Sequence, residues 1–226
     1  MKNHCIKQAL VAEFLGSLFL LMVVNGVVIM FDRTLGGDSR DLVLTSAIAV
    51  PAILFVIIEI FTPISGAHFN PLVTLIMFFE RKITAIHGFW YAGVQVLGGI
   101  VGLVASHLIF YTESGGLLFV SEVVRTDFRY FSEIIATFIL MLTILLIGKN
   151  KSDKASFIIP LLICANSLAT SSTTFANPQV TLARMLTNSP AGIRPIDGLI
   201  FIIMQIIGTL LAYVVFKLIF QHQESN

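Results

Sequence analysis

Two short stretches carry the residue types and spacing most able to do chemistry. Asn70-Pro71-Leu72-Val73-Thr74-Leu75 returns in the second half as Asn177-Pro178-Gln179-Val180-Thr181-Leu182. Asparagine caps a helix because its side-chain oxygen accepts a first-turn N–H. Proline suits the first helical position, where its missing N–H would have no partner anyway. Each Asn-Pro pair therefore reads as a helix start whose positive dipole end points outward from the first turn. With the asparagine oxygen turned inward, its amide N–H groups are left to face a hydroxylic solute. A single copy would read as a turn in a loop; two copies, each inside an apolar segment, read as paired half-helices.

The remaining ionisable candidates are few. Glu13 and Glu133 lie within long apolar runs, where a carboxyl is costly and has partners. Their expected task is to accept the backbone N–H groups that non-helical segments leave exposed, with a proton relay as the alternative. His68, two residues before Asn70, is a candidate for the inner pore lining or for packing against its own loop. The histidines His4, His68, His87, His107 and His222 have no metal-ligand spacing, and no nucleophile–base motif is present. No metal, no cofactor and no enzyme activity are expected. Cys5 and Cys164 are read as unpaired.

These residues need elements to position them, and composition decides which kind. Of 226 residues 56% are hydrophobic and 12% charged, with mean hydropathy +0.92. A soluble domain carries about 25% charged residues, so lipid is the implied solvent. A net charge of +1 gives no reason to expect nucleic acid. Six stretches, roughly 7–31, 42–61, 86–111, 128–148, 156–170 and 196–220, approach the ~20 apolar residues a span requires. Segments 71–79 and 178–186 are too short to cross and suit re-entrant half-helices. The apolar run of the first stretch is too long for a signal peptide and lacks a cleavage pattern. The expected fold is an all-α membrane protein with six transmembrane helices, two re-entrant half-helices and an inverted internal repeat.

Lys2, Lys7, Arg81, Lys82, Lys149, Lys151, Lys154 and Lys217 fall on one side of this layout. The other side carries Asp32, Asp38, Asp41, Glu113 and Glu122, and its cations are all arginines. The positive-inside rule makes the lysine side, and both termini, cytoplasmic. Residues 1–226 form one membrane domain of two repeats, about 6–111 and 127–220. Glu13 answers to Glu133, and Gln95-Val96-Leu97-Gly98 to Gln205-Ile206-Ile207-Gly208. Three spans separate each feature from its copy, so the second repeat enters from the opposite face, the arrangement in which interrupted segments mark a transport path.

Ala12-Glu13-Phe14-Leu15-Gly16, Ser65-Gly66-Ala67-His68-Phe69-Asn70-Pro71, the Gln95 and Gln205 segments and Phe175-Ala176-Asn177-Pro178 resemble the aquaporin/glycerol-facilitator family, the major intrinsic proteins. The resemblance runs from about residue 9 to 217. It implies an aquaporin-like bundle with one pore per subunit, assembled as a homotetramer in the cell (inner) membrane, with lipid and small polar solutes as partners. Its central constriction would use Asn70, Pro71, Leu72, Asn177, Pro178 and Gln179. The family's usual Asn-Pro-Ala here reads Asn-Pro-Leu and Asn-Pro-Gln. Its outer selectivity filter falls at Val50, Ala165, Thr174 and Val180, with no aromatic, no histidine and no arginine, which implies a wider and more apolar ring. The segment around Val180 is similar to a bacterial subgroup associated with arsenic species.

Arg184 follows Val180 by four residues, on the same face and about 6 Å further along the helix. It is expected either to put a positive charge in the outer vestibule or to turn sideways onto loop carbonyls. The function expected is a passive channel for small uncharged polar solutes: glycerol-like polyols, water and metalloid or arsenic species. The alternatives are a water channel with an atypical filter and an ion-coupled secondary transporter.

Overall fold

In the computed structural model, which describes residues 6–221, every regular element is helical. The chain runs α1 (Ile6–Ile29), a π-helical turn (Met30–Thr34), α2 (Ser39–Ser65), α3 (Pro71–Phe79) and α4 (Ala85–Ile109). It continues through α5 (Tyr111–Ser114), α6 (Phe128–Lys149), α7 (Ala155–Ala169), α8 (Pro178–Arg184) and α9 (Pro195–Phe220). Helix starts follow local chemistry. Asp38 and Asp41 form a capping box on α2, and Thr84 caps α4. Asn70 and Asn177 cap the half-helices α3 and α8 with proline at the first helical position. His4, Cys5, His222 and both termini lie outside the described residues.

Five helices, α1, α2, α4, α6 and α9, are long and apolar enough to span a bilayer. The span expected at 156–170 is α7, with only 15 residues, or about 22 Å at 1.5 Å per residue. That is short of a ~30 Å hydrocarbon core. Beyond it the chain leaves helical geometry until α8 begins, and Ser171, Thr173 and Thr174 of this segment line the central cavity. Irregular backbone is tolerated in such proteins where it borders a cavity.

Burial is inverted relative to a water-soluble protein. Glu13, Gln95, Glu133 and Gln205 are fully buried, whereas Ile48, Phe89, Phe128 and Leu161 are more than half exposed. Hydrocarbon outside and hydrogen-bonded polar groups inside make this the distribution of a multi-pass membrane protein. α1 packs most extensively on α4, and α6 on α9. Both contacts are close because of matched glycines. A Cβ on Gly98 would collide with the Phe14 carbonyl, and one on Gly208 with the Ile134 carbonyl, so small residues set these crossings.

The half-helices are exchanged between the two halves of the bundle. Leu72, Val73 and Ile76 of α3 pack with Leu140 and Met141 of α6 and Phe216 of α9. Val180 and Ala183 of α8 pack with Leu20 and Val24 of α1 and Ile57 of α2. Each short helix is thus seated in the other half's core.

Gly98→Leu and Gly208→Leu should each abolish monodisperse protein on gel filtration in detergent. Gly93→Leu, where a Cβ meets nothing within 4 Å, should elute as wild type.

Candidate pore

The half-helix starts meet end to end and are tied to each other. Asn70 Oδ1 accepts the Leu72 N–H at 2.9 Å, and its Nδ2 donates to the Ala176 carbonyl at 2.8 Å. Asn177 Oδ1 accepts the Gln179 N–H at 3.1 Å, and its Nδ2 donates to the Phe69 carbonyl at 2.8 Å. The sequence left both amide N–H groups of each asparagine for solute. The structure uses one of each to tie the opposing loop, so a single N–H per asparagine remains.

Those loops owe their shape to left-handed residues and buried glutamates. Gly66, Ala67 and Phe69 have φ of 91°, 52° and 46°, and Thr173, Thr174 and Ala176 repeat the pattern at 58°, 54° and 45°. Left-handed backbone costs a non-glycine residue about 1–2 kcal/mol, so something must hold it. Glu13 accepts Ser65 Oγ (2.6 Å), the His68 N–H (2.9 Å), the Phe69 N–H (2.7 Å) and Gln95 Nε2 (2.8 Å). Glu133 accepts the N–H groups of Phe175 and Ala176 and Gln205 Nε2. The second amide hydrogen of each glutamine goes to the half-helix threonine, Gln95 to Thr74 at 3.1 Å and Gln205 to Thr181 at 2.9 Å. Both carboxylates sit behind the loops, away from the cavity wall.

A cavity of about 1190 Å³ runs past these loops from a mouth bordered by Arg81, Lys82 and His87 to one bordered by Ser39, Arg125 and Pro190. Asn70 and Asn177 line it; Pro71, Leu72, Pro178 and Gln179 do not. Gln179 is fully buried, donates to the Phe69 carbonyl at 3.2 Å and places its Oε1 in the space that a Cβ on Gly99 would take. The Phe69 carbonyl thus takes two amide donors, Asn177 and Gln179. His68 lines the cavity, with Nδ1 3.0 Å from Thr74 Oγ1 and its ring 5.3 Å from that of Tyr91.

Of the four filter positions, Val50, Thr174 and Val180 line the cavity and Ala165 does not. Ala165 is exposed on the outside of α7. The inward residues of that helix are Ala155, Ile159, Ile163 and Ser167, and two positions from either of the last two turns a side chain about 200°. Neither Cys164, a free thiol, nor Asn166, which bonds the Ala136 carbonyl, replaces it. The wall offered by α7 is therefore bulkier than alanine at Ile159 and Ile163 and carries a hydroxyl at Ser167.

Arg184 turns onto a loop carbonyl and still borders the cavity. Its Nε donates to the Ala191 carbonyl, and its guanidinium lies 3.5 Å from the Phe175 ring centroid while bordering the cavity. The sequence reading missed Arg125, whose guanidinium is 5.0 Å from the same ring. An extended strap carries it there. Phe119 and Ser121 N–H groups bond the carbonyls of Leu186 and Met185, and Arg194 N–H bonds the Val123 carbonyl. Burial pushes Arg125 down to about 10, Arg129 adding and Glu133 opposing, so it stays cationic at neutral pH. Its one sequence signal was that all cations of that side are arginines.

A family model described as Major intrinsic protein matches residues 1–175. The chain belongs to the major intrinsic protein family. Aquaglyceroporin AqpS of Rhizobium meliloti is 36% identical over 222 residues, covering 98% of this chain and 94% of that protein. Probable aquaporin PIP2-6 of Oryza sativa is 30% identical over 162 residues, 69% of this chain, and the chain spans 57% of that plant protein. The X-ray structure of the aquaglyceroporin from Plasmodium falciparum matches with TM-score 0.68 at 20% identity, over 96% of both chains. The protein is a passive membrane channel for small solutes, with an aquaporin-like helical fold, and not an enzyme. Among the described residues no cluster of His, Cys, Asp or Glu is arranged to hold a metal.

Glu13→Ala or Glu133→Ala orphans several buried donors at about 1–3 kcal/mol each. Either should lower the thermal unfolding midpoint in detergent and abolish solute flux. The glutamine variants, which keep one acceptor oxygen, should lose less.

Proposed function

We propose that this channel is a wide-filter facilitator for small uncharged polar solutes: glycerol-like polyols, water and small metalloid acids, arsenic species among them. Val180 carries this reading. It borders the cavity just after the second Asn-Pro, where the family resemblance leads one to expect arginine. With Val50, Ile163 and Thr174 it makes a mostly apolar wall without fixed charge, which suits bulky neutral solutes. The similarity to an aquaglyceroporin over nearly the whole chain supports the polyol part. The two opposed N-termini at Asn70 and Asn177 give a centre hostile to cations and protons.

In this reading the two repeats are inverted and their half-helices meet near the midplane. The lysine-rich mouth and both termini are cytoplasmic, and the Arg125 mouth is outer. The chain resides in the cell (inner) membrane as a homotetramer. An ion-coupled transporter would need a coupling carboxyl in the path, and Glu13 and Glu133 are instead fully occupied behind the loops.

Val180→Arg narrows and charges the ring. In proteoliposome shrink–swell assays, it should suppress glycerol and arsenous acid uptake several-fold while sparing water. Wild-type protein that conducts water but no glycerol would overturn the wide-filter reading in favour of a water channel.

A further inference from the structure

We propose that the mouth of the pore near Arg125 is a recognition site for small monoanionic oxyacids, gripped by the guanidinium groups of Arg125 and Arg184 beside the Phe175 ring. The proposal rests on the channel reading only for how the ligand reaches the site.

Two guanidinium groups lie beside one aromatic ring, 3.5 and 5.0 Å from its centroid, which brings them to the same stretch of the cavity wall. Both are held by a single turn of backbone. Arg125 donates to the carbonyls of Pro190 at 3.1 Å and Gly192 at 2.8 Å, and Arg184 to that of Ala191 between them. Three successive carbonyls thus fix both forks, and Phe175 keeps them flat.

What is missing is a counter-charge. The ion pairs among the described residues join Arg33 to Asp32, Arg40 to Asp38, Arg194 to Asp197 and Lys217 to Glu80. Neither Arg125 nor Arg184 is in one. Glu133 is the carboxylate whose field reaches both, and its oxygens are taken up by the Phe175 and Ala176 N–H groups and Gln205. Arg184 is 8% exposed, and among the described residues neither of its terminal nitrogens has a hydrogen-bond partner. Among the described residues one terminal nitrogen of Arg125 is likewise without a partner, and both side chains border the cavity.

Buried charges are normally paired, and planar guanidinium forks match the two oxygens of a carboxylate or related oxyanion. The cavity that both side chains border is open space beside these donors. Below lies the apolar ring of Val50 and Val180, which favours holding an anion at the mouth over drawing it inward. A bound oxyanion would therefore obstruct the route taken by neutral solutes.

The test uses the full chain in proteoliposomes, with glycerol uptake measured against external acetate and its neutral isostere acetamide. Acetate should inhibit saturably and acetamide should not. Arg125→Gln and Arg184→Gln should each raise the half-inhibitory acetate concentration about tenfold or more, as expected for loss of a charge-assisted pair. A parallel reading needs no conduction: acetate should raise the unfolding temperature of the purified protein in detergent, and should not do so in the double variant. Glycerol uptake unaffected by acetate, or inhibition and thermal shift that persist in the double variant, would overturn the site. Absence of glycerol uptake alongside an arginine-dependent thermal shift would overturn the polyol reading and leave the site standing.

Discussion

The reciprocal tie between the half-helix caps, Asn70 to the Ala176 carbonyl and Asn177 to the Phe69 carbonyl, is the contact from which the rest of the architecture follows. It joins two helix N-termini, whose dipoles repel each other, and so it needs support from behind. Glu13 and Glu133 supply it. Each carboxyl group accepts the loop N–H groups next to its cap and is itself held by a glutamine from the neighbouring long helix. The long helices can bring those glutamines close enough because Gly98 and Gly208 remove the Cβ atoms at the crossings. Cap, loop, carboxylate, glutamine and glycine thus form one chain of dependence, present twice.

The repetition extends to what is left unsatisfied. Ser17 Oγ and Gln95 Oε1 have no partner among the described residues, nor have their counterparts Thr137 Oγ1 and Gln205 Oε1. Duplicated sequence has produced duplicated chemistry down to single atoms. Where the copies differ, the two ends of the pore acquire different character. Position for position, His68 in the first loop answers to Phe175 in the second. The histidine turns to Thr74 and Tyr91, whereas the phenylalanine becomes the platform for two guanidinium groups. Gln179 breaks the symmetry at the centre, adding a second donor to the Phe69 carbonyl, while the Ala176 carbonyl takes Asn70 alone among side-chain donors.

Much of this was legible in the sequence, for identifiable reasons. Asn-Pro at the start of an apolar stretch encodes a capped helix locally, with no need of distant partners. A carboxyl in hydrocarbon announces that it has partners, because leaving it bare is too costly. The repeat then restricts which partners those are. Composition and span lengths fixed the solvent and the helical class, down to α7, whose 15 residues match the short apolar stretch at 156–170.

Tertiary structure alone decided what faces the pore. Ala165 and Ile163 differ by about 200° of helical rotation, and spacing along one chain cannot fix the rotation of α7 about its own axis; packing against α2 and α6 does. Gln179 could have lined the constriction or packed behind it, and the space beside Gly99 settled the matter. Arg125 lies in a connection with no periodicity, far in sequence from Arg184, and only the strap bonded to the end of α8 brings the two together. The sequence by itself determined the half-helices, their anchors and the membrane as solvent, because those are local or compositional facts. Which side chains meet the solute is a matter of rotation and long-range contact, and only the folded chain supplies it.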